Sequence, residues 1–137
     1  MTREISYKWL EEAENDFEMG EILLKSKKFN GAVFHYQQAA EKSLKAILYY
    51  NDKQPWGHSI LSLINDLIEE GSHSYEKFIT YAREIDRHYT TTRYPDALPN
   101  ISPKDAYDSI IATRIRKEVE EIINFVKNDI IGKSENG

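Results

Sequence analysis

The chain predicts an all-α fold, an up-and-down helical bundle of about five helices in one domain over residues 1–131. Three observations carry this. Apolar residues recur at helical spacing through five separate segments, and no stretch shows the period-two alternation of a half-buried strand. With 137 residues the chain is long enough to bury one core without staples and too short for a second domain.

The first helix is expected from Ile5 to about Lys27, where Ile5, Trp9, Leu10, Ala13, Phe17 and Leu24 fall on one stripe. Asn30-Gly31 interrupts the pattern. From there to about Asn51 a second stripe runs through Val33, Tyr36, Ala40, Leu44, Ile47 and Leu48. Pro55 and Gly57 punctuate a turn over Asp52–Gly57. A short third helix follows from about Ser59 to Glu70, with Ile60, Ile64, Leu67 and Ile68 inward and Gly71 just past its end. The fourth starts with Ser74 as N-cap, carries Phe78, Ile79, Ala82 and Ile85 on its core face, and fades near Tyr89. A long loop is expected over Thr90–Pro103, and loops of that length in small domains tend to be functional. Ser102 and Pro103 then open the last helix as N-cap and first helical residue, with Asp105 at the positive end of its dipole. Its stripe of Ile111, Ile115, Val119, Ile122, Val126 and Ile130 reaches about residue 131, a length of ~28 residues or roughly 42 Å. Residues 132–137 have nothing to bury and read as a disordered tail.

Composition narrows the function. Without cysteine there is no disulfide, thiolate zinc site or thiol nucleophile. A net charge of −5 and a pI near 5.4 argue against broad adhesion to nucleic acid or anionic membrane, though a local basic site is compatible with them. No segment is long and apolar enough for a membrane span and the N-terminus lacks a signal-peptide core, so a soluble, cytoplasmic protein is expected. His35, His58, His73 and His88 show no metal-ligand spacing, and the glycine-rich and serine-hydrolase motifs are absent, so neither metal nor cofactor is expected.

Four constellations remain. On the second helix Phe34, Gln38, Glu41 and Lys45 form a row beside the apolar stripe, with Gln37 closer to the core. The row reads either as a solvated Glu–Lys pair or as the polar wall of a cleft. His58 precedes a helix whose free N–H groups would seat an anion, and it reads either as a phosphate contact or as a packing residue. Arg83 and His88 combine a guanidinium that can stabilise phosphoryl charge with an imidazole that can move a proton. Five residues on a regular helix leave those two side chains about 140° apart, so they meet only if the helix ends before His88 or a symmetry mate completes the site. In Arg93-Tyr94-Pro95-Asp96 the arginine either reaches a phosphate, with Tyr94 as a stacking face, or latches the loop to the bundle.

Taken together, these residues resemble the HEPN domain family, the higher-eukaryote and prokaryote nucleotide-binding domains. The resemblance rests on Trp9, Ala13, Asp16 and Phe17, on the stretch from Ala32 to Ala46, on Pro55 with His58-Ser59, and on Ala82–Tyr89 leading into Thr92–Asp96. It covers about residues 7 to 129. It implies a homodimeric helical bundle that partners a minimal nucleotidyltransferase, as a substrate-binding half or as the toxin of a toxin–antitoxin module. Many relatives are metal-independent ribonucleases, and by their spacing the arginine and histidine roles carry to Arg83 and His88. Nuclease relatives place a small polar residue after the arginine, where this chain has Glu84. The resulting expectation is binding of a nucleotide or RNA through His58, Arg93 and Tyr94, with Gln38, Glu41 and Lys45 as a further wall. A non-catalytic dimeric helical module is the alternative.

Overall fold

A computed structural model describes residues 2–136. Among them are seven α-helices, one 3-10 turn and no strand: α1 (Thr2–Lys25), α2 (Phe29–Tyr50), α3 (Ile60–Glu69), a 3-10 turn (His73–Phe78), α4 (Ile79–Asp86), α5 (His88–Arg93), α6 (Pro103–Ala106) and α7 (Ser109–Asn136). The bundle is all-α as the periodicity predicts, and α2 is its central member, packed against α1, α3, α5, α6 and α7.

The α1–α2 turn falls earlier than expected. Lys27 takes the left-handed conformation (φ 60°), and the Lys27 and Lys28 amides donate to Leu24 and Leu23 carbonyls to close α1. Asn30 and Gly31 therefore lie inside α2. Gly31 is retained by packing, since a Cβ there would sit 3.2 Å from Leu23 Cδ1. The stripe on α1 is also rotated from the expected one: Ile5 is 43 % exposed, whereas Ser6, Ala13, Asp16 and Gly20 face α2. Small side chains let the two helices approach closely, and Ser6 donates to the Ala46 carbonyl at 2.7 Å.

Ser59 caps α3, accepting from the Ser62 amide, and Gly71 ends that region at φ 106°. Ser74 does not cap a helix; it lies within the 3-10 turn, whose Tyr75 is wholly buried and donates to Asp129 at 2.8 Å. After α4, Arg87 keeps right-handed helical dihedrals (φ −60°, ψ −24°) and the chain resumes as α5. Thr92 Oγ1 and Arg93 Nη1 donate back to the His88 and Tyr89 carbonyls, so part of the expected loop is helical and the irregular stretch shrinks to 94–102.

The last helix is divided. Tyr107 adopts an extended conformation that buries its ring, and Asp108 then caps α7 through the Ile111 amide at 2.9 Å. Helix α7 starts later than expected and continues past residue 131 to Asn136, anchored near its end by a 3.2 Å hydrogen bond between the Ser134 and Tyr7 hydroxyls. The core joins α2 and α7 through Tyr36, Leu44, Ile47, Ile115, Val119 and Ile122, all fully buried. That packing fixes the face of α2 from which the polar site projects.

Candidate functional site

The polar row of α2 is a buried network rather than a solvated pair. Glu41 and Lys45 side chains are only 6 % and 10 % exposed, and Lys45 Nζ donates to Glu41 Oε2 at 3.0 Å. His58 completes the group, with Nδ1 lying 3.2 Å from Glu41 Oε1. The His58 ring stacks on Tyr89 of α5 at 5.2 Å. Lys45 also lies over the Trp9 ring. A buried carboxylate needs such partners, because removing it from water is costly unless its lone pairs are taken up.

Arg93, at the end of α5, turns back onto α2. Its Nη1 donates to Gln37 Oε1 at 2.6 Å and to the Tyr89 carbonyl at 2.9 Å. Its guanidinium carbon lies 3.8 Å from the Tyr89 ring centre and 4.6 Å from that of Phe34, both cation–π distances. Burial lowers its pKa, against the opposing charges of Tyr89, Glu41 and Tyr94, and arginine stays charged throughout. Nε and Nη2 make no hydrogen bond within the described residues. The arginine is thus held in place by one nitrogen and presents the other two.

Other expected site residues fare differently. Gln38 is half-buried and Tyr94 about half-exposed, neither with a side-chain hydrogen bond among the described residues. The anion seat at the start of α3 is already filled: Asp86 accepts from the Ile60 amide (2.7 Å), the Leu61 amide (3.0 Å) and Ser59 Oγ (2.9 Å). An internal carboxylate satisfies the free N–H groups there, so those groups are not open to a bound anion. His58 belongs to the Glu41 network instead.

Arg83 and His88 stand in separate surroundings. Arg83 is exposed and makes no hydrogen bond or ion pair among the described residues. His88 is half-buried, and its Nδ1 shares a 2.7 Å hydrogen bond with the Tyr107 hydroxyl. Burial holds the imidazole below its ordinary range, with Glu84 opposing and Arg114 and Arg87 adding to the fall. The charge on Glu84 is directed away from Arg83, since it pairs with Arg114 Nε. Beside it Glu118, 7 % exposed, is pushed up to about 8 by burial and by the adjoining Glu84 carboxylate. Burial also raises Glu84, but the neighbouring Glu118 and Arg114 outweigh it and leave Glu84 below its ordinary range. The pair therefore shares one proton at neutral pH.

Gln37, Tyr89, Asp86 and Tyr107 are the site residues that sequence reasoning underused. A signal existed for Gln37, a polar residue in the phase of the buried stripe. Asp86 and Tyr107 reach partners far along the chain, which no local pattern reveals.

Among the described residues no group of three or more His, Asp or Glu side chains could hold a metal ion, and no helix is long and apolar enough to cross a membrane. Fold and site together define a helical-bundle domain with a cationic and aromatic cluster on its central helix. The chain belongs to the HEPN domain family, whose model matches residues 6–129. It is similar to TT1696 from Thermus thermophilus, with 33 % identity, coverage of 93 % of this chain and 98 % of that one, and a TM-score of 0.86. The crystal structure of ST0689, an archaeal HEPN homologue, aligns with 28 % identity over 91 % of this chain and 97 % of that one at a TM-score of 0.76. An HEPN domain protein from Thermotoga maritima aligns with 31 % identity over 88 % and 95 % at 0.70. A protein of Methanocaldococcus jannaschii named "Putative toxin MJ1304" is 24 % identical over 128 residues, 88 % of this chain and 84 % of that protein.

Proposed function

We propose that this protein binds a nucleotide or RNA segment at the His58–Glu41–Arg93 cluster, acts as a homodimer, and works beside a minimal nucleotidyltransferase in a two-component or toxin–antitoxin system. One observation carries the binding assignment: Arg93 is fixed against Tyr89 and Phe34 through a single nitrogen, leaving Nε and Nη2 as a preorganised fork of the kind that suits a phosphate. The exposed Tyr94 ring and Trp56, 84 % exposed beside His58, add faces on which a base can stack. Membership of the HEPN family and the toxin name of the archaeal relative support the paired-system reading.

The catalytic form of this reading is metal-independent RNA cleavage, with His88 Nε2 moving the proton and Arg83 stabilising phosphoryl charge. Within one chain Arg83 and His88 share no partner, so this reading relies on a ligand or a second copy to bring the two groups together. That separation favours the second reading, a non-catalytic dimeric helical module.

Fluorescence anisotropy with a labelled single-stranded RNA tests the binding assignment. Arg93→Ala is expected to weaken binding by about 10-fold or more, the scale of a lost charge-assisted hydrogen bond, and Arg93→Lys to restore only part of it. Equal binding by wild type and both variants refutes the site. Incubating RNA with the protein in EDTA decides between catalysis and the binding module: cleavage that disappears in a folded His88→Ala variant supports the nuclease, and intact RNA across varied sequences supports the module.

A further inference from the structure

Beside this cluster on α2 lies a second polar constellation. Asp16 of α1 is 4 % exposed, and two residues of α2 reach it: Lys42 Nζ lies 2.6 Å from Oδ2, and His35 Nδ1 lies 3.1 Å from Oδ1. A carboxylate paired with an ammonium accepts at both oxygens, so the hydrogen of that contact resides on His35 Nδ1. In the neutral ring Nε2 is then a lone pair, and no group among the described residues takes it. Ion pairs buried between helices return little more stability than their desolvation costs, so stability alone gives weak reason for this arrangement. What it does accomplish is to fix one tautomer and one ring orientation.

The constellation adjoins the Arg93 site. The Phe34 ring lies under the Arg93 guanidinium at 4.6 Å and meets the His35 ring edge-on at 5.0 Å, so guanidinium and imidazole are within about 10 Å of each other. Gln38, on the next turn from both Phe34 and His35, lies along the same face. Phosphate and ribose hydroxyl of one nucleotide fall within that reach.

We propose that His35, oriented by Asp16, accepts a hydrogen bond from the ribose 2′-hydroxyl of a ligand whose phosphate sits on Arg93, so that the site selects RNA over DNA. The inference rests on the nucleotide-binding reading above. Its chemistry is complementary at both ends: Arg93 offers only donors, as a phosphate requires, and His35 Nε2 offers an acceptor, as a hydroxyl requires. Glu41, the other acceptor nearby, is already engaged by Lys45 and His58. Asp16 is a positioning residue that acts through His35.

The test uses fluorescein-labelled octamers of one mixed sequence, with uracil in both, as RNA and as DNA. Anisotropy is read at pH 8 in EDTA, with the RNA shown intact on a gel. Wild type is expected to favour RNA by about fivefold to tenfold, the scale of one neutral hydrogen bond. In His35→Phe that preference falls to about one while DNA affinity is unchanged. Asp16→Asn is expected to do the same, because with Lys42 on the amide oxygen the amide NH2 faces Nδ1 and moves the ring hydrogen to Nε2. A preference retained in both folded variants, or equal affinity of wild type for the two octamers, overturns the inference while leaving the Arg93 site standing. Failure of wild type to bind either octamer removes the binding reading itself. Nitrogen NMR of wild-type His35 checks the geometry without mutation: the Nδ1–H tautomer is expected, and the Nε2–H tautomer overturns the proposal.

Discussion

Replacing Glu118 by glutamine should remove a fall in stability with rising pH near neutrality. Glu118 is buried on α7 against Glu84, and its pKa of about 8 exceeds the ordinary carboxyl value of 4.5. Between those values the folded protein holds a proton that the unfolded chain has released. Stability must then fall as pH rises, by about 1.4 kcal/mol per pH unit for one proton, and level off above about pH 8. His88 works in the opposite sense, because its folded pKa is lowered and it destabilises the fold only as pH drops below the ordinary imidazole range. That contribution fades as pH rises past 6.5, where the lowered carboxyls Glu21 and Glu84 have already finished titrating. From pH 6.5 to 8 the Glu84–Glu118 pair should therefore lower wild-type stability by about 2 kcal/mol. Glu118→Gln offers Glu84 a donor without a titrating group, so its stability should fall less steeply than that of wild type across that window. Urea unfolding at fixed protein concentration, stepped through the window, measures both slopes. Parallel profiles for wild type and variant would refute the shared proton.

Two further perturbations test the frame that holds the site. Asp86→Ala removes the carboxylate from the start of α3 and should cost about 1–2 kcal/mol in thermal or urea unfolding; an unchanged midpoint would show that water replaces it fully. Gly20→Ala places a Cβ 2.5 Å from Tyr36 Cε1, and the overpacking of about 1–3 kcal/mol should outweigh the gain in helix propensity of about 1 kcal/mol. A more stable Gly20→Ala variant would mean that the Tyr36 ring yields freely.

Helix content was legible because amphipathic periodicity directly reflects which face is buried. The core face of α7, from Ile115 through Ile122 to Val126 and Ile130, is the one its sequence displays. Boundaries were less legible wherever a tertiary contact competed with local preference. Asn30-Gly31 has the composition of a turn but is held in α2 by packing on Leu23, and the turn falls to Lys27. Pro103 opens only α6, since burying the Tyr107 ring and bonding it to His88 breaks the helix that its stripe implied. Thr90–Arg93 reads as loop, yet its backbone is drawn into α5 by bonds from Thr92 and Arg93.

For the site, the residue types on α2 and around His88–Tyr94 were visible, and so was their polar character. Which of them meet was not. Pairing of Arg93 with Gln37, of His58 with Glu41 and of Asp86 with α3 spans 56, 17 and about 26 residues of chain. The sequence alone determined an all-α bundle, the absence of thiol chemistry and a polar stripe on the second helix, because these depend on composition and on a short repeating period. Only the tertiary structure decided that Asp86 fills the anion seat, that Arg83 and His88 have different neighbours, and that Arg93 is held at α2. Those outcomes depend on which helices pack together, and a side chain's partner across such a packing leaves no periodic trace along the chain.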